Sequence, residues 1–287
     1  MTEPWDVVVV GAGIAGLTAA RTCAEQGLRT VAHDMLAPGG RLISLGAVRA
    51  WPPSGAGAPN GPEFAGALLE DAMTAGVEIA YGEVTGLRTG PAITLDTAEG
   101  PAEARAVVVA TGLAPDDAAI PNAAAWEGRG LSECASCDGP LHAGNKVVVL
   151  GGDEWSATEA LELAGVAAHV TVVAGTTTWS AAAEREVAAS AAIEVRRGVA
   201  VTGLEGPATL AAVHLDDGTT LEASGLFTAA ATRPRLALLD AANGDPRVLA
   251  AGDVAVDTEI ATPTLLAAAA DGRRAGLAVV TLLATED

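Results

Sequence analysis

Asp6-Val7-Val8-Val9-Val10-Gly11-Ala12-Gly13-Ile14-Ala15-Gly16 is followed by Leu17–Gln26 at helical spacing. A second apolar run, Leu28–Ala32, then closes in His33-Asp34. The order is strand, glycine turn, helix, strand, acid. In that context Gly-x-Gly-x-x-Gly reads as a dinucleotide-binding turn and not as an ordinary loop. Gly11 makes the tight turn, Gly13 lets the backbone approach a pyrophosphate, and Gly16 lets the helix lie close to the strand. The helix N-terminus then faces the anion. Asp34, 18 residues after Gly16, is spaced to accept from ribose hydroxyls.

The same unit recurs. Lys146–Leu150 is an apolar strand, followed by Gly151-Gly152-Asp153-Glu154-Trp155-Ser156-Ala157, a helical run Thr158–Ala164 and a strand Val170–Val173. An internal duplication of nucleotide-binding units is the simplest organisation. The second copy is damaged: Asp153 holds its third glycine position. The strand after it ends in Ala174-Gly175-Thr176-Thr177, with neither an acid nor an arginine.

Around these units lie turns and short strands. Pro38-Gly39-Gly40-Arg41 is a turn whose glycines let backbone pass close to something flat or bulky. Trp51–Pro62 is a loop without a period, and Glu63–Ala75 returns to helical spacing. Val77–Ala80, Leu87, Ile93–Leu95 and Ala106–Ala110 read as strands, the last running into Thr111-Gly112. Leu113–Ala125 has the Pro, Asp and Ala content of an interdomain link. Ala192–Val195, Gly198–Leu204, Ala211–Leu215 and Gly225–Ala230 extend the second unit. Val248–Ala251 is a last strand before Gly252-Asp253, and Thr264–Leu283 a last helix, with Asp271, Arg273 and Arg274 on its polar side.

The 287 residues carry 16 Lys+Arg against 36 Asp+Glu, a net charge of −20, and are 50% apolar. Half apolar is enough for a real core. No basic footprint exists to neutralise phosphates, so nucleic acid and anionic membrane surfaces are disfavoured. No run long enough to span a bilayer occurs, and no secretory signal is visible, so a cytoplasmic location is expected. Three cysteines in such a chain are no disulfide framework. Cys23, in an Ala-rich amphipathic stretch, reads as a small buried apolar residue.

Cys134-Ala135-Ser136-Cys137 is the sharpest chemical signal. Two thiols at this spacing at a helix start can close a disulfide, and the helix N-terminus lowers one thiol pKa. Asp138 follows at once, close enough to shuttle a proton to the leaving thiolate. Metal binding is the rival, but a structural zinc site needs four ligands, and His142 is the only nearby imidazole. His142 is a candidate base for the dithiol. His33 is placed to cap its strand or touch a nucleotide, while His169 and His214 read as structural.

Taken in order, Gly11 to Gly16, Pro38-Gly39-Gly40, Ala110-Thr111-Gly112, Cys134 to Gly139, Gly151-Gly152 and Ala251-Gly252-Asp253-Val254 resemble the low-molecular-weight thioredoxin reductase family over nearly the whole chain. The resemblance implies an α/β fold of two Rossmann-like nucleotide-binding domains, the second inserted in the first. The FAD domain would comprise 1–113 and 236–287, and the inserted NADPH-type domain 114–235. It implies FAD on Gly11, Gly13 and Gly16 (pyrophosphate), Asp34 (adenosine ribose), Gly40 and Arg41, Thr111 and Gly112, and Gly252 and Asp253 (ribityl chain). It implies the redox role for Cys134 and Cys137, proton donation by Asp138, and a homodimer.

The departures are as specific. Asp153 stands where the family's inserted domain presses a pyrophosphate on bare backbone, and Ala174-Gly175-Thr176 stands where a His-Arg-Arg segment clamps the 2′-phosphate. Charge-assisted bonds are worth about 1.5–3 kcal/mol each, so their loss costs orders of magnitude in affinity. The family's Gly-x-x-Pro-Asn stretch is altered to Ala231-Thr232-Arg233-Pro234-Arg235. Its Arg-Gln pair before the last helix is replaced by Pro263-Thr264.

The reading that follows is a dithiol oxidase. A small-molecule dithiol reduces the Cys134–Cys137 disulfide, FAD accepts the electrons, and dioxygen takes them on, with no need for NADPH. The alternative is a reductase of a thioredoxin-like protein with a non-standard donor, a ferredoxin or an atypical NAD(P)H mode. The negative charge disfavours an acidic carrier protein. A third reading, an FAD-binding relic, is opposed by the intact cysteines and Asp138.

Overall fold

The structure is a computed structural model that describes residues 3–46, 60–115, 120–228, 232–255 and 265–285. Most of the loop expected over Trp51–Pro62, the end of the strand expected at Ala229-Ala230, and Ala231 and Pro263-Thr264 lie outside the described residues. In chain order the elements are β1 (Trp5–Val10), α1 (Ile14–Ala24), β2 (Thr30–Asp34), α2 (Gly61–Thr74), β3 (Glu78–Tyr81), β4 (Gly86–Arg88), β5 (Ile93–Thr97) and β6 (Gly100–Val109). Then come β7 (Leu113–Pro115), β8 (Leu131–Ser132), α3 (Ala135–Asp138), β9 (Lys146–Leu150), α4 (Glu154–Leu163), β10 (His169–Ala174), α5 (Ala181–Ala189), β11 (Ile193–Arg197) and β12 (Val201–Glu205). The last are β13 (Ala212–Leu215), β14 (Thr220–Glu222), β15 (Gly225–Thr228), β16 (Thr232–Pro234), α6 (Ala237–Ala242), β17 (Val248–Ala250) and α7 (Leu265–Ala284).

These form two compact units, one of 1–113 with 234–287 and one of 114–233. In the first unit the sheet order is β3-β2-β1-β6-β5-β4, with β17 on β6. The β1, β2, β3, β6 and β17 pairings are parallel, and β4-β5-β6 is an antiparallel meander. A parallel strand covered on both faces carries a continuous apolar run, which is why β1 ends in four valines. Val7 and Val9 face α1 and α7, while Val8 and Val10 face the meander. Each buried Val contributes roughly 1.5–3 kcal/mol.

The helix α7 crosses α1 at two glycines. A Cβ on Gly272 would stand 2.1 Å from the Ala15 carbonyl oxygen, and one on Gly276 2.9 Å from that of Ala19. Expected to be polar and outward, Asp271 is instead buried and paired with Arg274 at 2.9 Å. The turn that brings Gly272 and Gly276 onto α1 takes Asp271 inward with them. Only Arg273 and Arg274 remain exposed.

The second unit repeats the plan with β11-β10-β9-β15-β8, all parallel, and a separate β12-β13-β14 meander. Helix α4 starts at Glu154 and not at Thr158 because Asp153 caps it, its carboxylate accepting from Ser156 N–H at 2.9 Å. Glycine-turn geometry placed the strand correctly but hid a cap that extends the helix by a turn.

Candidate active site

In the first unit, the β1–α1 turn is built to receive something. Gly11 has φ +100°, and a Cβ on it would lie 2.3 Å from the Ala110 carbonyl oxygen. A Cβ on Gly16 would lie 1.7 Å from the Gly11 carbonyl oxygen, so the helix rests directly on the turn. Gly13 is different. It caps α1 with no side-chain hydrogen bond, and its missing Cβ would meet nothing nearer than Gly40 Cα at 3.9 Å. The N-terminus of α1 therefore presents bare N–H groups at a gap between two glycine turns, the arrangement that suits a phosphate. Gly39 N–H donates to the Ala12 carbonyl at 2.7 Å, which fixes the second turn against the first.

Asp34 braces this cradle: Oδ2 accepts from Ala12 N–H at 2.9 Å and Oδ1 from Leu36 N–H at 3.0 Å. Each carboxylate oxygen keeps a further lone pair. Next to it, on the meander face, is a cavity of about 230 Å³ lined by His33, Met35, Glu83, Thr85, Thr111 and Arg235 among others. His33 is buried, and its Nδ1 has no hydrogen-bond partner. Arg235 is held by Leu113 O and Met35 Sδ, and Thr111 Oγ1 donates to the Arg235 carbonyl. Gly252 has φ +71°, and Asp253 beside it is pushed up by burial, against the pull of Arg41. Gly11, Gly13, Gly16, Asp34, Gly40, Thr111 and this orphaned imidazole lie in one unit around two glycine turns and a cavity. They fit the adenosine and pyrophosphate of a dinucleotide.

Burial also lowers the His33 pKa from its ordinary 6.5, with only Glu99 opposing. The unfolded chain therefore binds the proton first as pH falls below about 6.5, and stability falls with it. Ligand-free protein is expected to lose unfolding midpoint more steeply between about pH 7 and 5 than His33→Gln. Parallel curves for the two proteins would remove His33 from the acid response.

The second unit holds the thiols. Cys134 and Cys137 are joined in a disulfide. Cys134 caps α3, and its Sγ accepts from Cys137 N–H at 3.1 Å. That helix is a single turn, so little macrodipole acts on the sulfur; the donor that does is this one N–H. Asp138 Oδ2 accepts from Ser132 Oγ at 2.6 Å, and the same Ser132 oxygen accepts from Cys134 N–H at 3.1 Å. Ser132 thus ties the Asp138 carboxylate to the turn that carries Cys134.

His142 lies in the turn after α3. Its Nδ1 pairs with Ser224 Oγ at 2.9 Å and its ring stands edge-on to Phe227 at 5.5 Å. Burial lowers its pKa while Asp138 raises it, so the neutral ring is favoured. The other two imidazoles are structural: His214 spans Thr220 and Glu205, and His169 faces Glu194. Among the described residues, no group of three or more metal-binding side chains occurs. Ser132 and a buried Glu159, which accepts from Ala135 N–H at 2.7 Å, were beyond sequence reasoning. Both act through pairings that only the fold creates, although an acid on the apolar face of α4 is a visible anomaly.

The second glycine turn is closed by its own chain. Asp153 occupies the α4 cap, Thr178 N–H donates to the Gly152 carbonyl at 2.7 Å, and the Thr176 carbonyl presses where a Gly152 Cβ would stand. Glu154 accepts from Ser180 N–H and Oγ at 2.7 and 2.8 Å. Trp179 is buried and donates to Ser156 Oγ at 3.2 Å. Arg197, at the end of β11, is committed to Glu184 and Thr177. Where α1 leaves its first N–H groups bare, α4 answers them with a carboxylate.

The family model for pyridine nucleotide-disulphide oxidoreductases matches residues 5–272. Thioredoxin reductase of Mycolicibacterium smegmatis is 30% identical over 243 residues, 82% of this chain and 78% of that protein. Thioredoxin reductase of Treponema pallidum is 35% identical over 175 residues, 60% of this chain and 56% of that protein. Against the first such relatives, the matched stretch spans only about half their length. The crystal structure of Lactococcus lactis thioredoxin reductase, 23% identical, covers 98% of this chain and 99% of that one with a TM-score of 0.89, a likeness of fold.

Proposed function

Because this chain belongs to the pyridine nucleotide-disulphide oxidoreductase family, we propose that it is an FAD-dependent dithiol oxidase that closes a disulfide in a small-molecule dithiol and does not use NADPH. The observation that carries this reading is the contrast between the two glycine turns. One has an uncapped helix and a cradle between Gly13 and Gly40. The other has Asp153 in the cap and the β10–α5 loop folded across it. A pyrophosphate at the second turn would meet the Asp153 carboxylate, and Arg197 at the end of β11 is already committed to Glu184 and Thr177.

FAD would be held by Gly11, Gly13, Gly16, Asp34, Gly40, Thr111 and Asp253, with His33 and Arg235 toward its adenosine. When bound, it supplies a two-electron acceptor for the reduced cysteine pair and a route from there to dioxygen. The residues do the rest. A substrate thiolate attacks one sulfur of the Cys134–Cys137 disulfide, and the other leaves as a thiolate. Cys137 N–H, aimed at Cys134 Sγ, stabilises charge on that sulfur. Asp138, held by Ser132, exchanges the proton. The second substrate thiol then displaces the enzyme sulfur, giving product disulfide and enzyme dithiol. The overall balance is one dithiol and one dioxygen to one disulfide and one hydrogen peroxide.

The second reading, a reductase of a thioredoxin-like protein, is favoured by the names of the relatives. The two separate in one anaerobic experiment. NADPH is expected to leave the flavin absorbance unchanged, and a dithiol to bleach it. Admitting air should restore the colour with about one peroxide per dithiol oxidised. Rapid bleaching by NADPH would overturn the oxidase reading.

A further inference from the structure

Two of the peptide donors in the turn that carries the redox pair have side-chain acceptors that bear on its chemistry. One, Cys137 N–H, points at the Cys134 sulfur. The other, Ala135 N–H, belongs to the peptide that follows Cys134 and is taken by Glu159 Oε2 at 2.7 Å. Glu159 lies on α4 and is 1% exposed, among Ala135, Ala157 and Ala160. Burying a carboxylate costs far more than burying an apolar side chain of that size. Nothing in the exchange chemistry above uses it. The other acids and bases around the turn have different attachments: Asp138 is held by Ser132 and His142 by Ser224, while Glu133 and Glu162 flank the turn on the chain before α3 and on α4.

We propose that Glu159 is a positioning residue for the Cys134–Cys137 pair. It holds the Ala135 peptide and so sets a carboxylate one residue from Cys134, which keeps the reduced pair as thiols and, above the thiol pKa, makes it the stronger electron donor. The inference rests on the reading of this pair as the redox centre. A stabilised thiolate makes a disulfide more oxidising; a negative charge set beside it does the reverse.

The test equilibrates holoprotein with mixtures of reduced and oxidised dithiothreitol. The disulfide takes two electrons and two protons from reduced dithiothreitol, whose own S–S bond forms. Alkylation and mass measurement count the freed thiols, and alkylation rate against pH gives the thiol pKa. Glu159→Gln keeps an acceptor for Ala135 N–H and removes only the charge. It is expected to lower the thiol pKa by about one unit. The equilibrium should match the unsubstituted protein at neutral pH and shift toward dithiol by up to about tenfold at alkaline pH, about 30 mV. Glu159→Ala, which also removes the charge, should shift the thiol pKa in the same direction; if it does not fold, Glu159→Gln decides alone. An unchanged thiol pKa and an unchanged equilibrium in Glu159→Gln overturn the proposal. Alkylation of both freed thiols that leaves dithiol turnover unchanged refutes the redox reading itself, independently of Glu159.

Discussion

Cys137→Ser protein is expected to keep its flavin and lose dithiol turnover by about 10³-fold or more, the scale of losing a covalent nucleophile. The same is expected of Cys134→Ser. The cofactor cradle is built wholly from residues of the unit comprising 1–113 and 234–287, whereas both cysteines lie in the other unit. Flavin content and thiol exchange are therefore separable by substitution. Each variant retains one thiol, which can attack the disulfide of the product and hold it as a mixed disulfide while the product's second sulfur leaves as a thiol, and the variant that accumulates the adduct shows which cysteine exchanges with substrate. Buried Cys23, its thiol pushed up to about 12, adds no background. Turnover within about tenfold of the unsubstituted protein in both variants would mean that thiols reduce the flavin directly.

Gly13→Asp is expected to fold and to bind FAD at least about 100-fold more weakly. Gly13 has φ −73°, which any residue adopts, and a Cβ there meets no atom closer than 3.9 Å. The substitution therefore strains nothing. It places a carboxylate at the cap of α1, where the bare N–H groups await a pyrophosphate. Removing charge-assisted bonds and adding repulsion amounts to about 3 kcal/mol or more. The substitution would copy the residue type of the second turn, where Asp153 caps α4. The checks are the yellow colour of the purified protein, FAD titration by quenching of flavin fluorescence, and an unchanged far-ultraviolet circular dichroism spectrum. Full-strength FAD binding by Gly13→Asp would remove the cradle from the cofactor site. By contrast, Gly16 is unsuited to this test: its Cβ would strike the Gly11 carbonyl at 1.7 Å, so loss of flavin there would follow from misfolding.

Legibility from sequence followed the range of the interactions. The Val7–Val10 run and the three glycines announce their element because their signals are local: a two-face-buried strand, a positive φ, a helix touching a strand. The acid at Asp153, which caps α4, is legible for the same reason. It is one side chain at one turn. What stayed hidden is what the fold brings from afar. Ser132 reaches Asp138 within a short stretch, but only because β8 ends where α3 begins. Glu159 meets Ala135 from 24 residues away. Asp271 was misread because helical periodicity ranks a charge as outward, whereas the glycine contact with α1 decides which face of α7 turns in.

The first unit is assembled from two stretches of chain separated by the whole of the second. Strand β17 completes its sheet against β6, and α7 covers α1 at Gly272 and Gly276. A ribosome delivers β1, α1 and β6 long before either partner. The contiguous unit of 114–233 has all its strands in hand as soon as Arg233 clears the exit tunnel. During synthesis, then, the thiol-bearing unit is free to fold first, while the glycine cradle waits with an open valine sheet. Until α7 arrives, that half-built sheet leaves apolar surface open, the condition that invites a chaperone.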